Sequence, residues 1–148
     1  MRHPVGLFLY AMSLRHGWGV RRNERAAVVL LQRAAERAVR DLMARTGSIG
    51  ASGTAASHEL GLAIYELAMS FRQGWGVAKD KASAMYYLQI AAQLGDVDAQ
   101  MALGEAYLAG KGVRRDKRLA AKWFRSAERQ GARMVSQQWI WKEKYDLV

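Results

Sequence analysis

A chain of 148 residues with 51% apolar side chains can fill one extended core, and its single proline, Pro4, leaves long helices uninterrupted. The absence of cysteine excludes disulfides, thiol catalysis and zinc-cysteine sites together. A net charge of +10 suits an acidic partner but decides nothing about the fold.

The first element spans about residues 3 to 16. Arg2 followed by the apolar run VGLFLYAMSL has the order of a secretion signal. The run is short, lacks a small-x-small cleavage pattern and superposes on a later helix, so it reads as structure. Residues 9 to 20, LYAMSLRHGWGV, match residues 66 to 77, ELAMSFRQGWGV, at a shift of 57, with Asn23 falling on Asp80. The closing tetrapeptide Gly-x-Gly-Val occurs at Gly17, Gly74 and Gly110. The second and third copies are 36 apart, a shift that also places Leu67 on Leu103, Ala84 on Ala120, Tyr87 on Trp123, Ala91 on Ala127 and Gly95 on Gly131. Self-similarity at such a period marks a stack of helical units that cannot bury their apolar faces alone.

The second helix carries Arg33, Arg37 and Arg40 at helical spacing and extends to about residue 45, because Leu42 and Met43 continue its apolar face. The two shifts differ by 21 residues, so one insertion lies between units one and two. Its segment TGSIGASGTAAS, residues 46 to 57, has linker composition. Gly47, Gly50 and Gly53 suggest a phosphate loop, but no Gly-Lys-Ser/Thr follows and no strand precedes.

In the middle unit the stripe Leu60, Ala63, Ile64, Leu67, Ala68 and Phe71 predicts a helix from about His58 to Arg72. The first glycine of each tetrapeptide ends its helix, since the position past a helix commonly turns left-handed. Asn23, Asp80 and Asp116 lie three residues beyond the three valines, each placed to cap the next helix. Gly95 with Asp96 repeats this chemistry between units. In the last hairpin Arg118, Lys122, Arg125, Arg129 and Arg133 form a basic stripe opposite Leu119, Ala120, Trp123, Phe124 and Ala127. The tail, residues 132 to 148, is expected to form a capping helix that shields the last apolar face with Trp139, Ile140 and Tyr145.

The third unit, LGEAYLAGKGVRRDKRLAAKWFRSAERQG, resembles a Sel-one-like repeat, a relative of the tetratricopeptide repeat, and the resemblance covers most of residues 3 to 131. It implies right-handed stacks of antiparallel helix pairs that serve as adaptors and scaffolds for protein complexes. The expected fold is therefore an all-α solenoid of three helix pairs, residues 3 to 38, 60 to 95 and 96 to 131, followed by the cap. Ala11 and Ala68 replace Gly104, and Leu14 and Phe71 replace Tyr107, preserving small and bulky character where the helices cross. RHPVGLFLYAMSLRHGWGV, LAIYELAMSFRQGWGV and WIWKEKYD further resemble fungal proteins of this class associated with inhibition of mitosis and with kinase regulation.

Nothing in the sequence assembles a catalytic site. His3, His16 and His58 form no His-x-x-x-His pair, and no cofactor is implied. No stretch approaches the ~18 apolar residues of a membrane span. Trp18 and Trp75 occupy the loop position held by Lys111 in the third unit, which requires access to solvent. With Arg15 and Arg72 two residues before their loops, they are candidate partner contacts. Glu66 and Glu105 lie on helix A surfaces and are expected to line the inner face of the superhelix. The expected partner is a protein or peptide, acidic or phosphorylated. Nucleic acid is the weaker choice, because the basic stripes lack interleaved aromatics. The setting expected is cytoplasmic or nuclear, and the chain reads as a candidate piece of a longer protein.

Overall fold

A computed structural model describes residues 4–46, 55–133 and 138–147. Six helices follow one another: α1 (Pro4–His16), α2 (Glu24–Thr46), α3 (Ala55–Gln73), α4 (Lys81–Gln93), α5 (Val97–Ala109) and α6 (Lys117–Arg129). Helices α1 and α2, α3 and α4, and α5 and α6 pair as hairpins, while α2 against α3 and α4 against α5 join one hairpin to the next. Of the linker expected over residues 46 to 57, the segment 47–54, including Gly47, Gly50 and Gly53, lies outside the described residues. Both flanks are helical instead, with α2 running through Thr46 and α3 starting at Ala55.

The three loops share one backbone solution. In the first, the N–H groups of Gly17 and Trp18 both reach the Ser13 carbonyl, and Asn23 N–H returns to the Leu14 carbonyl at 2.7 Å. Gly74, Trp75 and Asp80 do the same with Ser70 and Phe71, and Gly110, Lys111 and Asp116 with Ala106 and Tyr107. Both glycines of each tetrapeptide are left-handed, with φ between 71° and 77°. A side chain resists that conformation, so the motif requires glycine twice. The caps then start each second helix. Asn23 Oδ1 accepts from Ala26 N–H at 3.0 Å, Asp80 from Ala82 and Ser83, and Asp116 from Arg118 and Leu119.

The core is an apolar seam along these hairpins, from Ala11, Leu14 and Leu31 through Leu67, Ala68 and Leu88 to Leu103. A second cluster, with Phe124 and Ile140 at its centre, closes the far end. Gly104 lies against Phe124 so closely that a Cβ there would stand 2.8 Å from the ring. At the equivalent register, the first two repeats carry Ala11 with Leu31 and Ala68 with Leu88, a larger small residue facing a smaller large one.

The C-terminal cap departs from expectation in conformation. Among its described residues, 138–147 carry two 3₁₀ turns, Gln138–Trp141 and Glu143–Tyr145, where an α-helix is expected, and residues 134–137 lie outside the described residues. Arg125 takes the Ile140 carbonyl that an α-helix would use in its own ladder; it also donates at 3.0 Å to the Lys142 carbonyl, which accepts Tyr145 N–H as well, and its Nη1 pairs with Asp146 at 2.8 Å. The remaining backbone closes tighter turns, such as Lys142 N–H to the Trp139 carbonyl. Ile140 is nevertheless fully buried, and Trp139 stands edge-on to Phe124 and Tyr145.

Candidate functional site

The repeated loops dock one against the next. Gly76 meets the backbone where α2 begins: a Cβ there would lie 2.1 Å from the Glu24 carbonyl oxygen. Gly112 faces the Met85 methyl in the second turn of α4. All three loops therefore lie along one edge of the stack, and their side chains form a single row.

Trp18 is 62% exposed at the first loop, and its ring stacks on His16 with centroids 4.5 Å apart. Trp75 is 40% exposed, with the Arg15 guanidinium 5.1 Å from its ring centroid. Lys111 takes the same place in the third loop and is exposed. Arg72 and Glu105 are also exposed.

Arg15 is a correction to the sequence reading. It is only 5% exposed and holds α1 to α3: Nη1 pairs with the Glu66 carboxylate, while Nη2 donates to the Glu66 carbonyl at 3.0 Å and to Ser70 Oγ at 2.8 Å. Glu66 is thereby committed to the same bridge and does not offer a free carboxylate to a partner. The asymmetry with Arg72 has a cause in the register. One repeat further on, Glu66 and Ser70 become Ala102 and Ala106, so Arg72 meets no equivalent acceptors and stays in solvent. That substitution pattern was visible in the sequence, and it is the signal that separates the two arginines.

The basic stripe divides in the same way. Arg118, Lys122 and Arg129 are exposed. Arg125 is withdrawn into the clamp on the tail, its side chain 14% exposed. Trp141 lies between Arg125 and Arg129, whose guanidinium carbons stand 5.4 and 5.3 Å from its ring centroid. The Trp141 N–H donates to Glu128. Lys122 lies 4.6 Å over Trp123. The solvated stripe expected from helical spacing thus loses its central member to a structural role. Arg33, Arg37, Arg40 and Arg133 remain exposed.

Titratable groups respond to the packing. Burial pushes the Asp96 carboxyl up to about 6, aided by Asp98 and Glu66 and opposed by its hydrogen bond from Ala99 N–H. Asp80 is held below the ordinary carboxylate range by the Ser83 backbone and hydroxyl. Burial raises the Tyr65 phenol, with Asp98 and Glu66 adding to the effect. Among the described residues no group of His, Cys, Asp or Glu could hold a metal ion, and no helix is long and apolar enough to cross a membrane.

Stacked antiparallel helix pairs with a repeated loop define an α-solenoid, a class built to present extended surfaces. The Sel1 repeat matches this chain at residues 4–39, 61–96 and 97–131, and the chain belongs to the Sel1 repeat family. Two curated fungal proteins are similar: Mitosis inhibitor nif1 of Schizosaccharomyces pombe, 27% identical over 95% of this chain, and Protein DSF2 of Saccharomyces cerevisiae, 33% identical over 97%. The matched region is 23% and 21% of their respective lengths, so the chain spans less than a quarter of either. Solved structures share the fold. A Sel1 repeat protein of Oxalobacter formigenes superposes with a TM-score of 0.71 at 22% identity, over 88% of this chain and 45% of that one. The antigen c5321 of uropathogenic Escherichia coli gives 0.69 at 25% identity, over 87% and 23%. Cysteine rich protein B of Helicobacter pylori gives 0.62 at 24%, over 87% and 84%.

Proposed function

We propose that the chain is a non-catalytic protein-interaction module, an adaptor whose partner lies along the helix A face and the tryptophan loops. The observation that carries this reading is Trp18: a largely exposed indole on a loop fixed by two left-handed glycines and backed by His16. A rigid aromatic presented to solvent brings contact area at low cost in conformational entropy, the property of interface anchors. Trp75, Arg72, Lys111 and Glu105 extend the surface on either side.

Trp18→Ala is the direct test, because its ring is 62% exposed and stacks on the exposed His16, whereas Trp75 also covers the buried Arg15. The variant should melt within about 1 °C of the parent, consistent with the small effects of surface changes, and lose the proteins that the parent captures in a quantitative affinity purification. Capture unchanged by the substitution refutes the loop as the contact. A second reading, an inhibitory partner of a cell-cycle kinase, is favoured by the similarity to a protein named as a mitosis inhibitor across 95% of this chain. Adding the purified chain to cell-cycle kinase assays should then lower substrate phosphorylation. Unchanged rates at saturating chain exclude that reading.

A further inference from the structure

Along the sequence the basic residues show as a net charge of +10 and as stripes on α2 and α6. The fold gathers others. Because the loops stack along one edge, residues 17–25, 74–81 and 110–118 come together, carrying ten basic and three acidic residues, a net of +7 within a chain of +10. The three acids are already engaged. Glu24 pairs with Arg22, and Asp80 and Asp116 accept from the first N–H groups of α4 and α6. No ion pair among the described residues involves Arg21, Lys79, Lys111, Arg114 or Arg115. Like charges held this close repel one another, and on a fold whose surface could carry them elsewhere they mark a place where an anion is received.

A concavity lies on this edge at the third loop. It is a shallow depression open to solvent, of about 430 Å³, lined by Tyr107, Val113, Arg114, Arg115, Asp116 and Leu119. Its two arginines are adjacent loop residues, and Gly110 packs on the second, where a Cβ would lie 3.3 Å from that of Arg115. Val113 and Leu119 are its apolar residues. Two arginines beside apolar residues suit a phosphoryl group carried on a side chain, which accepts bidentate hydrogen bonds from guanidinium while its carbon stem meets apolar surface.

We propose that the loop edge binds an acidic protein segment in extended form, and that the Arg114 and Arg115 pocket takes a phosphorylated side chain of that segment. This rests on the reading of the chain as a protein-binding module and assigns part of that partner's chemistry. Neighbouring helix axes lie roughly 10 Å apart, so three loops span about 20 Å. At about 3.3 Å per residue, an extended strand of six or seven residues reaches from the phosphoryl pocket to Trp18. Lys79 and Arg21 lie along that path, and Trp75 and Trp18 offer aromatic contact. Nucleic acid fits less well. The Trp75 indole has the Arg15 guanidinium over its ring and the Trp18 ring has His16 on one face, which removes half of each stacking platform. A membrane surface would meet a row broken by a concavity instead of a level rim.

The test uses a fluorescein-labelled acidic peptide of about ten residues, glutamates around one phosphoserine, with its unphosphorylated twin, read by anisotropy at low and physiological salt. The phosphopeptide should bind about tenfold more tightly than the twin, and both should weaken as salt shortens the screening length from ~30 to ~8 Å. Arg114→Ala with Arg115→Ala should abolish the preference for phosphate. Arg33→Ala with Arg37→Ala, on the outer face of α2, should leave it intact. Circular dichroism shows whether each variant is folded. Equal loss in both double variants reduces the effect to diffuse charge and overturns the pocket. Tighter binding to single-stranded DNA or to phosphatidylserine vesicles than to the phosphopeptide overturns the assigned partner class. If no phosphopeptide binds while Trp18 still governs partner capture, this site is refuted and the module reading stands.

Discussion

The pairing of Gly104 with Phe124 makes a quantitative prediction. Gly104 is helical without a positive φ, so Gly104→Ala should gain about 0.8 to 1 kcal/mol of helix propensity. The new Cβ would stand 2.8 Å from Phe124 Cε1 and 2.9 Å from Cδ1 and Cζ, against an ordinary carbon contact of about 3.5 to 4.0 Å. Phe124 cannot step aside: it is 0% exposed, with Trp139 across its edge. Overpacking of this kind costs about 1 to 3 kcal/mol, so the single substitution should destabilise by about 1 kcal/mol net. Phe124→Leu alone leaves a void and should lose about 1 to 2 kcal/mol. The double variant rebuilds the alanine-leucine combination of the first two repeats, and its loss should fall below the sum of the singles by about 1 kcal/mol. Urea unfolding followed by circular dichroism measures all four proteins. Additivity within about 0.3 kcal/mol, or a stabilising Gly104→Ala in both backgrounds, refutes the steric argument.

Three further outcomes follow from the same geometry. Arg15→Met strands the Glu66 carboxylate, whose side chain is 23% exposed, and should cost about 2 kcal/mol, below the ~3 to 5 of a fully buried pair; Arg72→Met should stay within about 0.5 kcal/mol, and equal losses in denaturant titrations would contradict the register argument. Asp96 titrates near 6 when folded, against an ordinary 3.8, so the unfolded chain releases this proton first and stability falls as pH rises from about 4 through about 6. Asp96→Asn keeps a capping oxygen and removes the charge. It should match the parent near pH 4 and exceed it near pH 8 by about 1 to 2 kcal/mol, the full shift being reduced for partial exposure; a pH-independent difference rejects the assignment. Arg125→Ala releases the carbonyls of Ile140 and Lys142 together with Asp146, so trypsin should cut at Lys142 and Lys144 several-fold faster under native conditions, while unchanged cleavage would mean that the tail is held by its aromatics alone.

Legibility followed the length scale of each interaction. The loops were readable because their constraint is local: two left-handed glycines and a cap three residues past the valine lie within seven residues, Gly17 to Asn23 in the first loop, so a short motif carries them three times. The fates of Arg15 and Arg125 depended on what lies opposite. Both satisfy a helical stripe, and only the residues facing them, Glu66 with Ser70 and the carbonyls of the tail, turn a surface charge into an internal tie. For Arg15 the information was present but relational, spread between Ser70 and Ala106 one repeat apart. For Arg125 the acceptors are mostly backbone carbonyls, which every residue possesses, so no side-chain pattern could announce them.

A repeat thus writes two kinds of information into the same registers. Positions that agree across units, such as the glycines and capping residues, specify the stack. Positions that disagree do so for one of two reasons that the structure separates. Gly104 with Phe124 differs from Ala68 with Leu88 because a volume is conserved in the sum, and such pairs are silent at the surface. The position that holds tryptophan in the first two loops, Trp18 and Trp75, holds Lys111 in the third, while the backbone beneath it is the same. Variation that packing does not explain, on a backbone that does not vary, is the material the proposed partner contact would draw on.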